Sequence, residues 1–201
     1  MKDKKTRIFY LKKKVIFPHS SLSVSVSSTN LTGGLEKGDM IISFPVRTIL
    51  DLLFHRNRLA TLTEIININP AENNLLIQLK GISRVRIKKI IRFQFVEYEI
   101  INDPPAGPAE ELFESLRKKT QELIFLINVE ESDKLIRLLN YLTGTSQMTD
   151  FIANYFVIEF QPRYRLFNEL DVSARSEKIL AILDDLIEEI KNKRETETRQ
   201  P

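Results

Sequence analysis

The hydrophobic period of this chain changes once, and the change is abrupt. Up to Asp103 apolar residues recur every second position. "LSVSV" (22–26) sets Leu22, Val24 and Val26 on one side and serines on the other, the mark of a half-buried strand. "DMIISF" (39–44) is a short apolar run of the kind buried on both faces, and "LATLTEI" (59–65), "NLLIQL" (74–79), "SRVRIKKI" (83–90) and "FVEYEI" (95–100) continue the pattern. "NPAENN" (69–74) has the composition of a hairpin turn. Then "DPPAGP" (103–108) packs three prolines and a glycine into six residues, which neither a strand nor a helix interior accommodates. Beyond it the period is 3.6. Five apolar stripes follow, from Leu112 to Ile127, Leu135 to Leu142, Phe151 to Phe156, Leu166 to Leu170 and Ile179 to Ile190. Ser146 or Thr149 is the expected cap of the third helix, Pro162 opens the fourth, and Asp171 or Ser173 begins the last and longest. Its polar tail, "KNKRETETRQP", is expected to fray. The pattern predicts an α+β chain: a small antiparallel barrel or sandwich followed by a helical bundle.

Chemistry-bearing constellations are scarce. There is no cysteine, hence no disulfide or thiolate site, which suits a reducing compartment. Only two histidines occur, His19 and His55, too few for a zinc site without carboxylates. No phosphate-cradling GxxxxGK[ST] motif is found. The serines of 19–28 read as a solvated strand face and the acidic pairs Asp184–Asp185 and Glu188–Glu189 as a solvated helix face. No apolar run of about 18 residues exists to span a membrane, and the expected location is cytoplasmic.

Charge is unevenly distributed. Residues 1–14 hold seven Lys/Arg and one Asp, whereas residues 15–103 hold ten basic and eight acidic side chains. The basic balance therefore belongs to an N-terminal arm rather than to a nucleic-acid-binding domain. In "KGISRVRIKKII" (80–91) Arg84, Arg86 and Lys88 share one parity with Val85 and Ile87 on the other. An even-length hairpin turn near Arg92 would put Lys88 opposite Glu97 and Arg86 opposite Glu99, leaving Arg84 as the exception.

These segments resemble the N-terminal substrate-binding domain of Lon proteases, the LON domain. "YLKKKVIFP" (10–18) is similar to its apolar opening ending Phe-Pro, "GISRVRI" (81–87) to its Gly-x-x-Arg-Val-Arg-Ile strand, and "FVEYEIIND" (95–103) to the strand that closes the β half. "MTDFIANYF" (148–156) and "LFNELDVSARSEKILAIL" (166–183) resemble its helical segments. Departures are Lys12 and Lys13 where the family favours Arg and an acid, and "SSTNLTGGLEKGD" (27–39) where it inserts a helix.

The resemblance implies a PUA-like antiparallel β pseudo-barrel over 1–103 with a basic arm 1–14, a Pro/Gly hinge at 104–108, and a helical bundle over 109–201. It implies a non-catalytic protein- or peptide-binding module with no cofactor or metal, lacking ATPase and protease modules, and a stand-alone protein is the favoured reading. Its expected partners are unfolded or tagged protein segments and a separate protease or ATPase, with weak nucleic-acid binding at most and no membrane. Expected substrate-binding residues are Phe17, Pro18, Phe93 and Phe95 at a barrel rim, with Arg84 as charged anchor. The alternatives are a PUA-like protein that binds RNA or a small ligand, and a ligand-gated adaptor.

Overall fold

The computed structural model describes residues 5–27, 34–47, 58–71, 74–102, 110–127 and 132–198. The proposed hinge at 104–108, His55 and residues 28–33 of the glycine-rich segment after the second strand lie outside the described residues. The chain divides into two compact units, Met1–Asn102 and Asp103–Pro201.

The first unit contains β1 (Lys5–Lys12), β2 (Ser21–Ser27), β3 (Met40–Val46), β4 (Leu59–Ala71), β5 (Asn74–Ile91) and β6 (Phe95–Ile100). The sheet order is β2-β5-β4-β3-β1-β6, and β5 also pairs with β6. That extra pairing closes β1, β3, β4, β5 and β6 into a ring, and β2 extends the first half of β5 outside it. Closure leaves few unpaired strand edges. Within the ring Ile8, Ile42, Phe44, Val46, Ala60, Leu62, Val85, Ile87 and Val96 form one core cluster. A second cluster, with Leu11, Ile16, Val24, Ile41, Ile65, Ile77 and Leu79, covers the opposite face of the strands. β3 serves both clusters, and all its residues after Met40 are buried. β2 keeps the predicted alternation, with Val24 buried and Ser23 and Ser25 exposed.

Three differences from the sequence reading have physical causes. The sheet is mixed rather than antiparallel, because β1 lies parallel to β3, with Ile8 opposite Ile42 and Lys12 opposite Val46. The basic segment is for the most part a strand and not an arm: β1 is the link between β3 and β6, and Ile8 and Leu11 are buried. Its apolar run packs on both faces, Ile8 and Tyr10 in the first cluster and Phe9 and Leu11 in the second, so no two-residue period marks it among the lysines. The runs 74–79 and 83–90 form a single strand of 18 residues, whose first half pairs with β2 and whose second half pairs with β6. Gly81 sits between the halves and continues the pairing to β4 opposite Thr63. Ala71 faces Asn74 at the predicted hairpin.

The second unit holds α1 (Glu110–Ile127), α2 (Ser132–Tyr141), α3 (Thr145–Tyr155), α4 (Phe160–Asn168) and α5 (Val172–Thr198). Their apolar stripes meet through Leu116, Leu123, Ile124, Leu139, Met148, Ile152, Leu166, Phe167, Ile179 and Leu183, all buried. Asp171 caps α5, its Oδ1 accepting from the amides of Ser173 at 2.8 Å and Ala174 at 3.1 Å. α5 runs on to Thr198 through the polar tail expected to fray. α3 is preceded by Gly144 with no side-chain cap, and Thr149 instead donates to the Ser146 carbonyl at 2.8 Å. The largest fully buried side chain is Arg175, 1% exposed. Its guanidinium donates to Thr149 Oγ1 (2.8 Å), Ser146 Oγ (2.8 Å) and the Glu169 carbonyl (2.7 Å), and stands 3.9 Å from the Asp150 carboxylate. A buried cation is tolerated only with such partners.

Candidate functional site

The five residues expected at one rim occupy two places. Phe17 and Pro18 belong to a tight turn laid across the outer face of β4 and β5. Phe17 N–H donates to Ser20 Oγ at 3.1 Å, Ser20 Oγ donates back to the Phe17 carbonyl at 2.7 Å, and Thr61 of β4 donates to the Ile16 carbonyl at 2.6 Å. The turn is tied to Gly81 of β5 by two backbone bonds, His19 N–H to the Gly81 carbonyl at 2.9 Å and Gly81 N–H to the Ser20 carbonyl at 2.8 Å. No side chain fits at position 81, since a Cβ there would lie 2.1 Å from the Phe17 carbonyl oxygen. Three residues on, Arg84 places its guanidinium 5.9 Å from the centroid of the Phe17 ring. Phe17 and Pro18 are buried, and Arg84 is 2% exposed. The Phe-Pro and Gly-x-x-Arg motifs are thus two sides of one packed contact.

Arg84 therefore departs from the wet parity of its strand. Arg86 and Lys88 are exposed as expected, but the Phe17 turn covers Arg84. The expected pairing of Arg86 with Glu99 is present, at 3.9 Å. Lys88 instead reaches Glu99, at 3.3 Å, and Lys89 takes the place opposite Glu97, because the register slips between Ile87 and Lys89. A bulge of this kind leaves no mark in a two-residue period.

Phe93 and Phe95 lie at the other place, the turn between β5 and β6. Arg84 and Ile91 are seven residues apart on β5, which puts the hairpin about 20 Å from the Phe17 contact. Phe93 is 60% exposed and Phe95 37%. Arg92 and Phe93 both have left-handed backbone, with φ of 50° and 56°. A two-residue turn of that hand ordinarily carries Asn-Gly, because residues with a Cβ are strained there. Gln94 N–H closes the turn on the Ile91 carbonyl at 3.2 Å. Tyr10 of β1 anchors its tip, donating to the Phe93 carbonyl at 3.1 Å while its ring meets Phe44 edge-on at 6.4 Å. Partial burial raises the Tyr10 hydroxyl above its ordinary pKa of 10.0, so it stays a donor at neutral pH.

β1, β3 and β5 run in the same direction, so all three finish at the hairpin end of the ring. Lys12, Lys13 and Lys14 follow the end of β1, Arg58 precedes β4 and Arg92 is in the turn, all exposed. Sequence reading placed the lysines on a separate arm. The signal for their position was the Leu11 to Phe17 apolar frame on either side of them. Among the described residues no group of three His, Asp or Glu side chains could hold a metal ion, and no helix is long and apolar enough to cross a membrane.

A mixed strand ring with an outer strand, joined in sequence to a unit of five described helices, defines an α+β class of domain. The sequence profile of the family described as the ATP-dependent protease La (LON) substrate-binding domain matches residues 5–185, and the chain belongs to that family. The N-terminal domain of the Mycobacterium avium complex Lon protease has the same fold at 14% identity, covering 92% of this chain and 98% of that one with a TM-score of 0.67. A Lon N-terminal domain protein from Xanthomonas campestris is similar at 16% identity, covering 89% of this chain and 98% of its own, with a TM-score of 0.54. No curated protein matches the chain in sequence.

Proposed function

We propose that the chain is a non-catalytic module that holds extended, unfolded polypeptide segments, with the hairpin end of the strand ring as its contact surface. Phe93 and Phe95 supply the apolar contact. Phe17, Pro18 and Arg84, being buried, act as positioning residues that fix β5 and through it the hairpin. The observation that carries the reading is the Arg92–Phe93 pair. An exposed phenylalanine in a left-handed turn is unfavourable twice over, through its backbone and through its ring in water, and such outliers concentrate where a ligand repays them. Membership of a substrate-binding family supports the same reading. Any ATPase or protease acting on the bound segment would be supplied by other modules or partners. Fluorescence anisotropy with a labelled unfolded polypeptide tests this. Saturable binding that weakens in Phe93→Ala at unchanged thermal stability is expected. If no unfolded polypeptide binds, or Phe93→Ala binds as the parent does, the reading is wrong.

A further inference from the structure

We infer that the hairpin end selects acidic polypeptide segments and takes them by strand addition to the free edge of β1. This rests on the reading of the chain as a polypeptide binder and names the class of segment and the way it is held.

The edge follows from the pairing. β1 is flanked by β3 over Ile8 to Lys12 but by β6 only over Lys5 to Arg7, with one further bond from Ile8 N–H to the Gln94 carbonyl at 2.9 Å. Lys13 N–H points the other way, to the Val46 carbonyl of β3 at 2.7 Å. Strand alternation then turns the amides and carbonyls of Phe9 and Leu11 toward β3, and those of Tyr10 and Lys12 toward the side that β6 has left. Among the described residues no strand pairs with Tyr10 or Lys12 on that side. Among the described residues this leaves a short stretch of unpaired β1 backbone beside the hairpin, where Tyr10 reaches the Phe93 carbonyl. An extended segment entering it would continue the line of β6 and satisfy those groups.

The charge selects what enters. Lys12, Lys13 and Lys14 follow the end of β1, Arg58 precedes β4 and Arg92 is in the turn, so all five belong to the same end of the ring, all are exposed, and none has a carboxylate partner among the described residues. Glu97 and Glu99 lie further along β6, opposite Lys89 and Arg86. A segment bearing Asp or Glu with an intervening apolar side chain matches this surface, its carboxylates meeting the cations and its apolar residue the Phe93 ring. A backbone edge beside the exposed Phe93 and Phe95 favours a polypeptide over single-stranded nucleic acid, which has no strand-pairing amides.

The test uses the full chain and three labelled, unstructured peptides of equal length and identical Phe and Leu content, with Glu, Gln or Lys as spacers. A fourth is the Glu peptide N-methylated at alternate residues, which removes strand-pairing donors without touching the protein. At low salt the Glu peptide is expected to bind about tenfold more tightly than the Gln peptide, the sum of a few exposed ion pairs, and the Lys peptide more weakly still. High salt should shrink the difference. Lys12→Glu with Arg92→Glu should reverse the order, and N-methylation should weaken the Glu peptide. Equal binding of the three spacer peptides overturns the charge selection, as does a preference that survives charge reversal. Unchanged binding of the N-methylated peptide overturns strand addition. A single-stranded oligonucleotide that binds more tightly than the Glu peptide, and is lost with the same two substitutions, would reassign the surface to nucleic acid. If none of the peptides binds, it is the polypeptide-binding reading itself that fails.

Discussion

Gly81→Ala should be among the most damaging small substitutions in the strand unit, although alanine is ordinarily the better residue inside a strand. Gly81 does not need a left-handed backbone, so its requirement comes only from space. The added Cβ would lie 2.1 Å from the Phe17 carbonyl oxygen, 3.0 Å from its carbon and 3.3 Å from Pro18 Cα, all main-chain atoms without a rotamer to swing away. The turn must retreat by roughly 1.5 Å to restore an ordinary contact. Retreat stretches two backbone hydrogen bonds, worth about 1 kcal/mol each, and loosens the Arg84–Phe17 contact, worth roughly 0.5–1 kcal/mol. Residual strain adds about 1–2 kcal/mol, and the smaller entropy of the unfolded alanine chain returns about 0.5–1 kcal/mol. The net loss is about 3 kcal/mol. With a urea slope of about 2 kcal/mol per molar, the midpoint falls by about 1.5 M. Urea unfolding followed by far-ultraviolet circular dichroism reads this directly. A loss under about 0.5 kcal/mol, or a gain, would refute the argument that the Phe17 turn is pinned against a missing side chain.

At the hairpin, Phe93→Gly should be more stable than Phe93→Ala by about 0.5–1 kcal/mol, inverting the usual order because φ there is 56°; urea midpoints of the two variants decide it. Arg175→Met should cost about 3–5 kcal/mol, since it leaves Asp150 buried and strips Ser146, Thr149 and the Glu169 carbonyl of their donor, and a loss of under 1 kcal/mol in urea unfolding would contradict that role. Asp171→Ala should cost about 1 kcal/mol by removing the cap of α5, with Asp171→Asn recovering most of it in thermal melts. Glu169 is held below its ordinary 4.5 first by the side-chain bond from Lys178, so what it adds to stability is present above that value and is lost as pH falls through its lowered one; an NMR titration should find the carboxyl below 4.5 and raised in Lys178→Met.

Periodicity carried most of the architecture, because a switch from two to 3.6 is a property of burial itself. Five helices and the strands β2 to β6 follow from it, as does the Arg86–Glu99 pair. What it could not carry were features set by distant contacts. β1 was obscured by lysines whose charges stay in water while Ile8 and Leu11 are buried on opposite faces of the strand. The parallel partner of β1 is a matter of ring closure, on which local pattern is silent. The bulge after Ile87 moved Lys88 from Glu97 to Glu99. Arg84 looked like one more wet cation, and only the covering turn makes it a buried one. The resemblance gave the Phe-Pro and Gly-x-x-Arg motifs as separate segments, and only the structure joins them: the Phe17 carbonyl occupies the space that a side chain at position 81 would fill. The aromatic pair at the hairpin was legible as composition, but the left-handed backbone at Phe93 and the gathering of basic positions at the same end of the ring emerge only from the fold.

Hydrogen–deuterium exchange of the full chain with and without a saturating unfolded polypeptide tests the central proposal most directly. The account predicts new protection in residues 8–14 and 88–96, at the open edge of β1 and the β5–β6 hairpin, with the helices unchanged. Protection confined to the helical unit, or none under conditions where the polypeptide is bound, would contradict it.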